Sequence, residues 1–198
     1  MKEHYYSENQ NSKLKIKKIN PRLRENYIEL NTGSGVFSIG KVDKGTEILI
    51  NKSIIKDGWR ILDLGCGYGA VGITLKKAFP KSKIVMTDVN NRALKLARMN
   101  VKENNLDEIS VIQGDKFERV KDKFNTILLN PPQSAGKALC FEMIEESKDF
   151  LKKNGLLQLV ARHNKGGKTL EEKMLDVFGN VKQIAKKSGY RVYVSENK

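Results

Sequence analysis

The sequence predicts an α/β fold, in which a mixed and mostly parallel sheet is flanked by helices. From Trp59 onward, short apolar runs alternate with stretches of helical periodicity, which is the order that builds βα units. A glycine-rich segment, 65–69, follows the first of these runs, where a strand passes into a helix. The chain has 198 residues, of which 39% are hydrophobic, and this is enough for the core of one domain.

The predicted strands and helices alternate along the chain. Strands are expected at 60–64, 83–87, 110–113, 125–129 and 156–160. A helix is expected at about 70–79, and later helices are indicated by inward-facing apolar sets, namely Leu94, Ala97 and Val101, then Cys140, Phe141, Ile144 and Leu151, then Leu170, Met174, Val177 and Phe178. The last segments, 181–185 and 190–194, predict a hairpin. The expected result is a seven-stranded mixed sheet with one antiparallel edge strand.

We expect one domain over residues 1–198, with a small β extension at 1–45 and an α/β core at 46–198. The extension differs from the core because its apolar residues form short β-like runs around Ile16 and Ile28. A helix is expected from about Thr46 to Ile55. No Pro-rich or Ser-rich linker separates the two parts, so the extension is expected to pack on the core.

The charge balance favours an anionic partner. The chain has 37 Lys and Arg residues against 23 Asp and Glu residues, a formal net charge of +14. Such a charge attracts polyanions, and nucleic acid is the natural candidate. A Lys-rich surface that merely keeps the protein soluble is the alternative. The basic run that would track phosphates consists of Lys13, Lys15, Lys17, Lys18, Arg22 and Arg24.

Composition also argues against several classes of protein. Cys66 and Cys140 are the only cysteines and belong to no Cys/His cluster, so we expect neither a disulfide framework nor a metal site. No stretch approaches the roughly 20 apolar residues that span a bilayer. The start of the chain lacks the apolar core of a signal peptide. We therefore expect a soluble, cytoplasmic protein without membrane contact, either monomer or homodimer.

The glycine-rich segment is compatible with two cofactors. Gly67 to Gly72 satisfies the GxGxxG pattern, with Asp88 about 20 residues further on, and this predicts a nicotinamide dinucleotide. Asp63 favours S-adenosylmethionine instead, since a carboxylate there can receive the ammonium of a methionine moiety, whereas a pyrophosphate gains nothing from it. Asp115, after the third strand, can accept from the adenine amine. One such acid is more often a cap or a turn residue, but three at successive strand ends favour S-adenosylmethionine.

The fourth parallel strand ends in Asn130-Pro131-Pro132. Consecutive prolines lack N–H donors and hold an extended backbone, which frees nearby carbonyls for a ligand. An amine on an aromatic ring is a poor nucleophile, because its lone pair is delocalised. If Asn130 Oδ1 and the Pro131 carbonyl accept its hydrogens, they favour a pyramidal nitrogen whose lone pair can attack a methyl group. A plain Pro-Pro turn is the alternative, and the position beside the glycine turn favours catalysis.

These segments resemble the small-domain (MTS-type) family of class I S-adenosylmethionine-dependent methyltransferases, which includes ribosomal RNA guanine-N2 methyltransferases. The likeness spans nearly the whole chain, including the opening His4-Tyr5-Tyr6-Ser7, and is closest to short archaeal-type members. The segments that carry it are 35–38 with 43–46, then 63–69, and 130–132 with 135–137. The resemblance implies a Rossmann-like fold.

The resemblance also implies roles for single residues. The expected cofactor-binding residues are Asp63, Gly65 and Gly67 at the methionine moiety, Asp88 at the ribose and Asp115 at the adenine, together with Cys66, Val89, Lys116 and Asn130. The expected catalytic residues are Asn130, Pro131 and Pro132. The expected substrate-binding residues are Phe37, Ser38, Gln133 and Lys137. No metal is expected.

The chain departs from the family pattern at Gln133, where many amino-methyltransferases carry an aromatic residue that stacks on the target base. Phe37 can supply that stacking instead, although a buried core position is the alternative. The bacterial ribosomal enzymes also carry a further N-terminal domain that helps to bind RNA. Here we expect RNA to be bound by the β extension, the basic surface or a partner subunit.

Three functions follow from these observations. The first is methylation of an exocyclic base amine in RNA, with guanine N2 of ribosomal RNA as the main hypothesis and transfer RNA as the second. Another is methylation of a protein glutamine, whose amide presents the same planar NH2 group. The last is RNA binding without turnover. The intact set of Asp63, Asp88, Asp115 and Asn130 argues against a silent protein.

Overall fold

The computed structural model describes residues 6–10 and 12–198. The strands are β1 (Ile16–Ile19), β2 (Arg22–Leu23), β3 (Asn26–Tyr27), β4 (Leu30–Gly33), β5 (Arg60–Leu64), β6 (Lys83–Asp88), β7 (Ile109–Gln113), β8 (Phe124–Leu129), β9 (Leu151–Arg162), β10 (Lys182–Lys187) and β11 (Tyr190–Glu196). The helices are α1 (Lys44–Lys52), α2 (Ala70–Ala78), α3 (Asn91–Glu103), α4 (Lys137–Phe150) and α5 (Lys168–Phe178).

In these residues, seven strands form one sheet in the order β10-β11-β9-β8-β5-β6-β7. The five strands from β5 to β9 run parallel to one another, with β5 between β8 and β6. The strand β11 is antiparallel to both of its neighbours, β9 and β10. The predicted α/β class, with a seven-stranded mixed sheet, is confirmed.

The position of the reversed strand was predicted wrongly. We expected it at the edge, whereas β10 lies at the edge and the reversed strand β11 lies second from it. The reason is that the connection through α5 places β10 two strand positions from β9, which leaves room for one strand between them. The tight turn at Ser188-Gly189 then folds β11 back into the gap between β9 and β10.

Two element boundaries also differ from the expectation. The helix α1 begins at Lys44, because the Asp43 carboxylate caps it by accepting from the backbone N–H groups of Gly45 (2.8 Å) and Thr46 (3.2 Å). The strand β9 begins at Leu151, five residues earlier than predicted. Leu151 is therefore a buried strand residue and does not belong to the inward face of α4.

The core consists of two buried clusters, one on each face of the sheet. Successive strand residues alternate between them, so that Ile61 belongs to the first cluster and Leu62 to the second. Leu23, Ile28 and Leu30, from the segment before α1, pack in the first cluster. The β extension therefore shares a core with the sheet, as expected from the absence of a linker.

The helices of the described residues are shorter than a bilayer requires or too polar to enter one. The longest of them, α4, has 14 residues, against the roughly 20 needed to cross the hydrocarbon core. None of the described helices is a candidate membrane span.

Candidate active site

A cavity of about 360 Å³ opens at the carboxyl ends of the parallel strands. Its wall contains the predicted residues from three strands: Asp63 in β5, Asp88 at the end of β6 and Asn130 directly after β8. The strands of a parallel sheet all end at the same edge, and ligands of open α/β sheets bind there. The fold thus brings together side chains that lie 67 positions apart in the sequence, from Asp63 to Asn130.

The turn after β5 keeps its backbone exposed to the cavity. Gly65 and Gly67 have φ angles of 72° and 55°, in the left-handed region that favours glycine. A Cβ built at either position meets no heavy atom of the described residues within 4 Å. The space over the turn is therefore free for a ligand, and side chains other than glycine would fill it. This cradle fits a cofactor that lies against the backbone.

The Asp88 carboxylate is held in one orientation by two backbone N–H groups. Gly67 donates to its Oδ2 at 2.8 Å, and Asn90 donates to its Oδ1 at 2.8 Å. Burial raises the pKa of Asp88, and these two donors partly oppose the rise. Each carboxylate oxygen has a further lone pair. The pair of oxygens can therefore still accept from two adjacent hydroxyls of a ribose.

The Asp63 carboxyl lies at the bottom of the cavity and is 3% exposed. Burial raises its pKa to about 7, the N–H of Gly72 (3.0 Å from Oδ2) lowers it, and the nearby Asp88 raises it further. A buried carboxyl of this kind gains its charged form when a cation binds beside it. The ammonium of a methionine moiety is such a cation, whereas a pyrophosphate is an anion.

Asp115 and Lys116 line the cavity near β7, but only Asp115 has a side chain that is available to a ligand. Asp115 lies in the wall with an exposed side chain, next to Gly114. Lys116 also lines the cavity, yet its ammonium pairs with Glu142 (2.8 Å) and Glu146 (2.6 Å) of α4, which raises its pKa. Lys116 thus helps to fix this loop to α4 through its side chain.

Cys66 and Val89 complete the predicted cofactor wall. The backbone N–H of Cys66 donates to the carbonyl of Thr87 at 2.8 Å, which ties the glycine turn to β6. Burial raises the pKa of the Cys66 thiol well above its usual value, so the thiol stays protonated. Its place in the wall makes Cys66 a packing residue of the turn.

Asn130 is oriented by a residue that the sequence did not single out. Its Nδ2 donates to the hydroxyl of Thr46 at 2.9 Å, and Thr46 lines the same cavity from the first turn of α1. Since the amide nitrogen is held in this way, Oδ1 is the atom of Asn130 that remains to accept from an incoming amine. The Asp43 cap in turn fixes the backbone of Thr46 (3.2 Å).

The carbonyls after Asn130 are less free than predicted. The Pro131 carbonyl accepts from the N–H of Gln133 at 2.8 Å, and the Pro132 carbonyl accepts from the N–H of Ala135 at 2.8 Å. The two prolines are followed by a short 3-10 turn, which supplies these donors. A carbonyl oxygen has two lone pairs. One lone pair of the Pro131 oxygen therefore remains for a substrate amine.

The predicted substrate residues separate into two groups. Phe37 lines the cavity and is 37% exposed, so its ring is a surface of the site and is not buried in the core. Ser38, Gln133 and Lys137 are not among the described residues of the cavity wall. Ser38 donates to the Lys41 carbonyl (2.9 Å), Gln133 donates to the Lys165 carbonyl (2.9 Å), and the Lys137 ammonium lies 4.9 Å from the centre of the Phe141 ring.

The predicted basic run is largely engaged within the protein. Arg24 donates to the Ile50 carbonyl (2.8 Å) and to the hydroxyl (3.0 Å) and carbonyl (3.0 Å) of Ser53. Burial also lowers the pKa of Arg24. These hydrogen bonds make Arg24 a structural residue. Lys18 pairs with Glu29, and Arg22 pairs with Glu25. Of the six candidates, the exposed Lys13, Lys15 and Lys17 remain for phosphates.

Among the residues of the cavity wall that the sequence analysis did not predict are Thr46 and Tyr6. Both lie in segments that carry the family likeness, but neither has a neighbouring motif of known chemistry. His4 and Tyr5, which were also part of that likeness, lie outside the described residues. Within the described part of the chain, no group of three or more His, Cys, Asp and Glu side chains is placed to hold a metal ion.

Residues 27–194 match the family described as methyltransferase small domain. The chain is 36% identical over 197 residues to the protein "Uncharacterized protein YbxB" of Bacillus subtilis strain 168, and the match covers 97% of both chains. It is 34% identical over 167 residues to ribosomal RNA small subunit methyltransferase C of Haemophilus influenzae strain Rd. That match covers 82% of this chain but 49% of the relative, so the chain spans about half its length.

Among solved structures, the fold is similar to the 16S rRNA N2 G1207 methyltransferase of T. thermophilus in complex with AdoMet and guanosine. The TM-score is 0.80 at 22% identity, and the match covers 94% of this chain and 52% of that one. At this identity the likeness concerns the fold. The two sequence relatives reported above are bacterial, and they give no support to the expected archaeal-type character.

Proposed function

We propose a substrate for this protein from the premise that the chain belongs to the methyltransferase small domain family. It is an S-adenosylmethionine-dependent methyltransferase, and the predicted cofactor is confirmed in preference to a nicotinamide dinucleotide. The methyl acceptor that we propose is the exocyclic N2 amine of a guanine in ribosomal RNA.

The observation that carries this proposal is the fixed orientation of Asn130. Thr46 holds its amide nitrogen at 2.9 Å, which leaves Oδ1 to accept a hydrogen from an amine in the cavity. The remaining lone pair of the Pro131 carbonyl accepts the second hydrogen. Two acceptors suit an NH2 group, which has two hydrogens to donate, and they do not suit a ring nitrogen or a hydroxyl.

The role of these residues in catalysis is to position the substrate amine. An aromatic amine held by two acceptors is favoured in a pyramidal form, whose lone pair is no longer shared with the ring. When bound, S-adenosylmethionine supplies a methyl group on a cationic sulfur that is a good leaving group, so no strong base is required. The surplus amine proton passes to solvent after transfer. Preorganised acceptors that cost no rearrangement supply the acceleration.

The cofactor side of the cavity is assigned in the same proposal. Asp63 would hold the methionine ammonium, Asp88 the ribose hydroxyls and Asp115 the adenine amine, with Gly65 and Gly67 against the backbone of the ligand. The exposed Phe37 would stack on the target base from the opposite wall. Gln133 would not, because its amide is bonded to the Lys165 carbonyl.

The choice of ribosomal RNA rests on two further observations. The chain carries a net charge of +14, which suits a polyanionic substrate better than a protein glutamine. Its relative in Haemophilus influenzae is named ribosomal RNA small subunit methyltransferase C. Since this chain spans about half of that relative, the same substrate is a proposal for this chain.

The experiment is transfer of a tritiated methyl group from S-adenosylmethionine to four unmodified acceptors: small-subunit ribosomal RNA, assembled small subunits, transfer RNA and total protein. We expect label in ribosomal RNA or its subunit, and N2-methylguanosine after digestion to nucleosides. Asn130→Ala, which should still bind the cofactor but transfer the methyl group far more slowly, is the negative control. Label confined to transfer RNA or to protein would overturn the proposed substrate, as would the absence of label with intact cofactor binding.

A further inference from the structure

The segment formed by residues 6–10 and Ser12, here named the N-terminal strap, lies across the edge of the cavity. The Glu8 carbonyl accepts from the backbone N–H of Asn91 at 3.0 Å, and its carboxylate accepts from the amide of Gln113 at 3.2 Å. Asn91 begins α3 and Gln113 ends β7. The strap therefore joins the two elements that follow Asp88 and precede Asp115.

Arg92 anchors the other end of the strap. Its Nη2 donates to the carbonyls of Gln10 (3.1 Å) and Ser12, and its Nη1 donates to the Ser34 carbonyl (2.9 Å). The planar guanidinium makes these bonds in a fixed fork, which a lysine cannot reproduce. Arg92 thereby fastens the strap to the turn that leads to Phe37.

The anchor is coupled to the predicted ribose site. Asn90 lies between Asp88 and Arg92 in the sequence, and its amide donates to the Gly35 carbonyl at 2.9 Å while its backbone N–H donates to Asp88 at 2.8 Å. The hydrogen bonds that orient Asp88 and those that hold the strap therefore belong to the same turn at the start of α3.

Tyr6, at the start of the strap, is part of the cavity wall together with Asp88, Val89 and Gly114. We propose that Tyr6 is a cofactor-binding residue, which packs its ring against the adenosine half of S-adenosylmethionine and is held there by Arg92. The inference rests on the identity of the cofactor and is independent of the RNA substrate. It gives Tyr6 and the N-terminal strap a role in binding the cofactor, in addition to the expected role of the extension in binding RNA.

The test separates the two halves of the ligand. S-adenosylhomocysteine contains the nucleoside and the amino acid, whereas 5′-methylthioadenosine contains the nucleoside without the amino acid. We expect Tyr6→Ala to weaken both ligands by the same factor, about fivefold to tenfold in calorimetric titration, as an aromatic contact predicts. Tyr6→Phe should restore most of the affinity, because the ring remains.

Arg92→Met probes the anchor with a second variant. It should weaken both ligands by a similar factor, and the double variant with Tyr6→Ala should be little weaker than either single variant, since both changes act through the strap. The matched control is Tyr27→Ala, whose ring is 63% exposed on β3. Tyr27→Ala should leave both affinities unchanged.

Each outcome has a defined meaning. If the wild type binds neither ligand, the cofactor identity itself is wrong. If the wild type binds both and Tyr6→Ala matches it, the role of Tyr6 is refuted while the cofactor stands. A loss for S-adenosylhomocysteine alone would place Tyr6 at the amino-acid end and also refute the inference. Thermal unfolding without ligand checks that each variant is folded.

Discussion

The two halves of the cavity are built in different ways. In the cofactor half, Asp88 takes its hydrogen bonds from Gly67 and Asn90, which lie in the loops at the ends of adjacent strands. In the amine half, Asn130 is held by Thr46, which lies 84 residues earlier in the chain. The cofactor half is thus a property of the sheet edge, whereas the amine half depends on the packing of α1 against it. A variant in one half should therefore leave the function of the other half largely intact.

The largest expected effect tests that separation in the amine half. Asn130→Ala removes one of the two proposed acceptors for the amine, and we expect methyl transfer to fall by about 100-fold to 1000-fold, as for other preorganised electrostatic groups. The affinity for S-adenosylhomocysteine should change by less than about threefold. Single-turnover transfer and calorimetric titration measure the two quantities. A large loss of affinity would show that the two halves are not separate.

The matching variant in the cofactor half is Asp88→Ala. It removes the proposed acceptors of both ribose hydroxyls, and two charge-assisted hydrogen bonds correspond to a loss of about 100-fold in affinity. With the cofactor at saturating concentration, methyl transfer should recover most of its rate. A rate that stays low at saturation would mean that Asp88 also acts on the amine half.

The sequence predicted the cofactor half better than the amine half for a physical reason. Asp63, Asp88 and Asp115 each belong to the end of a strand, and parallel strands end at one edge, so strand prediction alone brings them together. The partner of Asn130 cannot be found in this way, because the sequence shows which side chains can form hydrogen bonds but not which distant pairs meet. The wall position of Tyr6 was missed for the same reason.

Long-range packing also explains the incorrect expectations. Arg24 has the charge expected of a phosphate-binding residue, yet the fold half-buries it against Ser53 and the Phe79 ring, with the guanidinium 4.9 Å from the ring centre. The hairpin of β10 and β11 was predicted from local turn chemistry, but its insertion beside β9 was not. Local structure could be predicted from the sequence, whereas the pairs of distant segments that contact each other could not.

A smaller effect is expected at Thr46, the residue of α1 that holds Asn130 in the amine half. Thr46→Val keeps the shape of the side chain and removes the hydroxyl that holds Asn130, so kcat should fall by about tenfold, the value of one hydrogen bond. KM for the RNA should change little, and Thr46→Ser should restore the rate because it keeps the hydroxyl. If valine and serine lower kcat equally, Thr46 acts by packing and not by orienting Asn130.

The last effect concerns Asp63, and it depends on pH in both binding and stability. Because burial raises its pKa to about 7, the carboxyl must lose a proton to bind an ammonium below that pH. The affinity for S-adenosylhomocysteine should fall by about tenfold per pH unit below 7, and the fall should be absent in Asp63→Asn, which binds weakly throughout. Calorimetric titration between pH 5.5 and 8 measures both variants, and a parallel fall in Asp63→Asn would assign the pH dependence to another group.

The same raised pKa makes Asp63 unfavourable for folding of the ligand-free protein. The unfolded chain ionises above the ordinary value of 3.8, whereas the folded chain resists ionisation until about 7, so this group lowers stability as the pH rises through that window. Asp63→Asn, which can still accept from Gly72, should therefore raise Tm at pH 8 by roughly 5–15 °C, since a pKa difference of about three units corresponds to about 4 kcal/mol, and by less at pH 5. A Tm that falls equally at both pH values would show that the carboxyl is needed for packing of the glycine turn. The expected gain instead identifies Asp63 as a residue that is retained for the ligand at a cost to the fold, which is the behaviour of a binding residue.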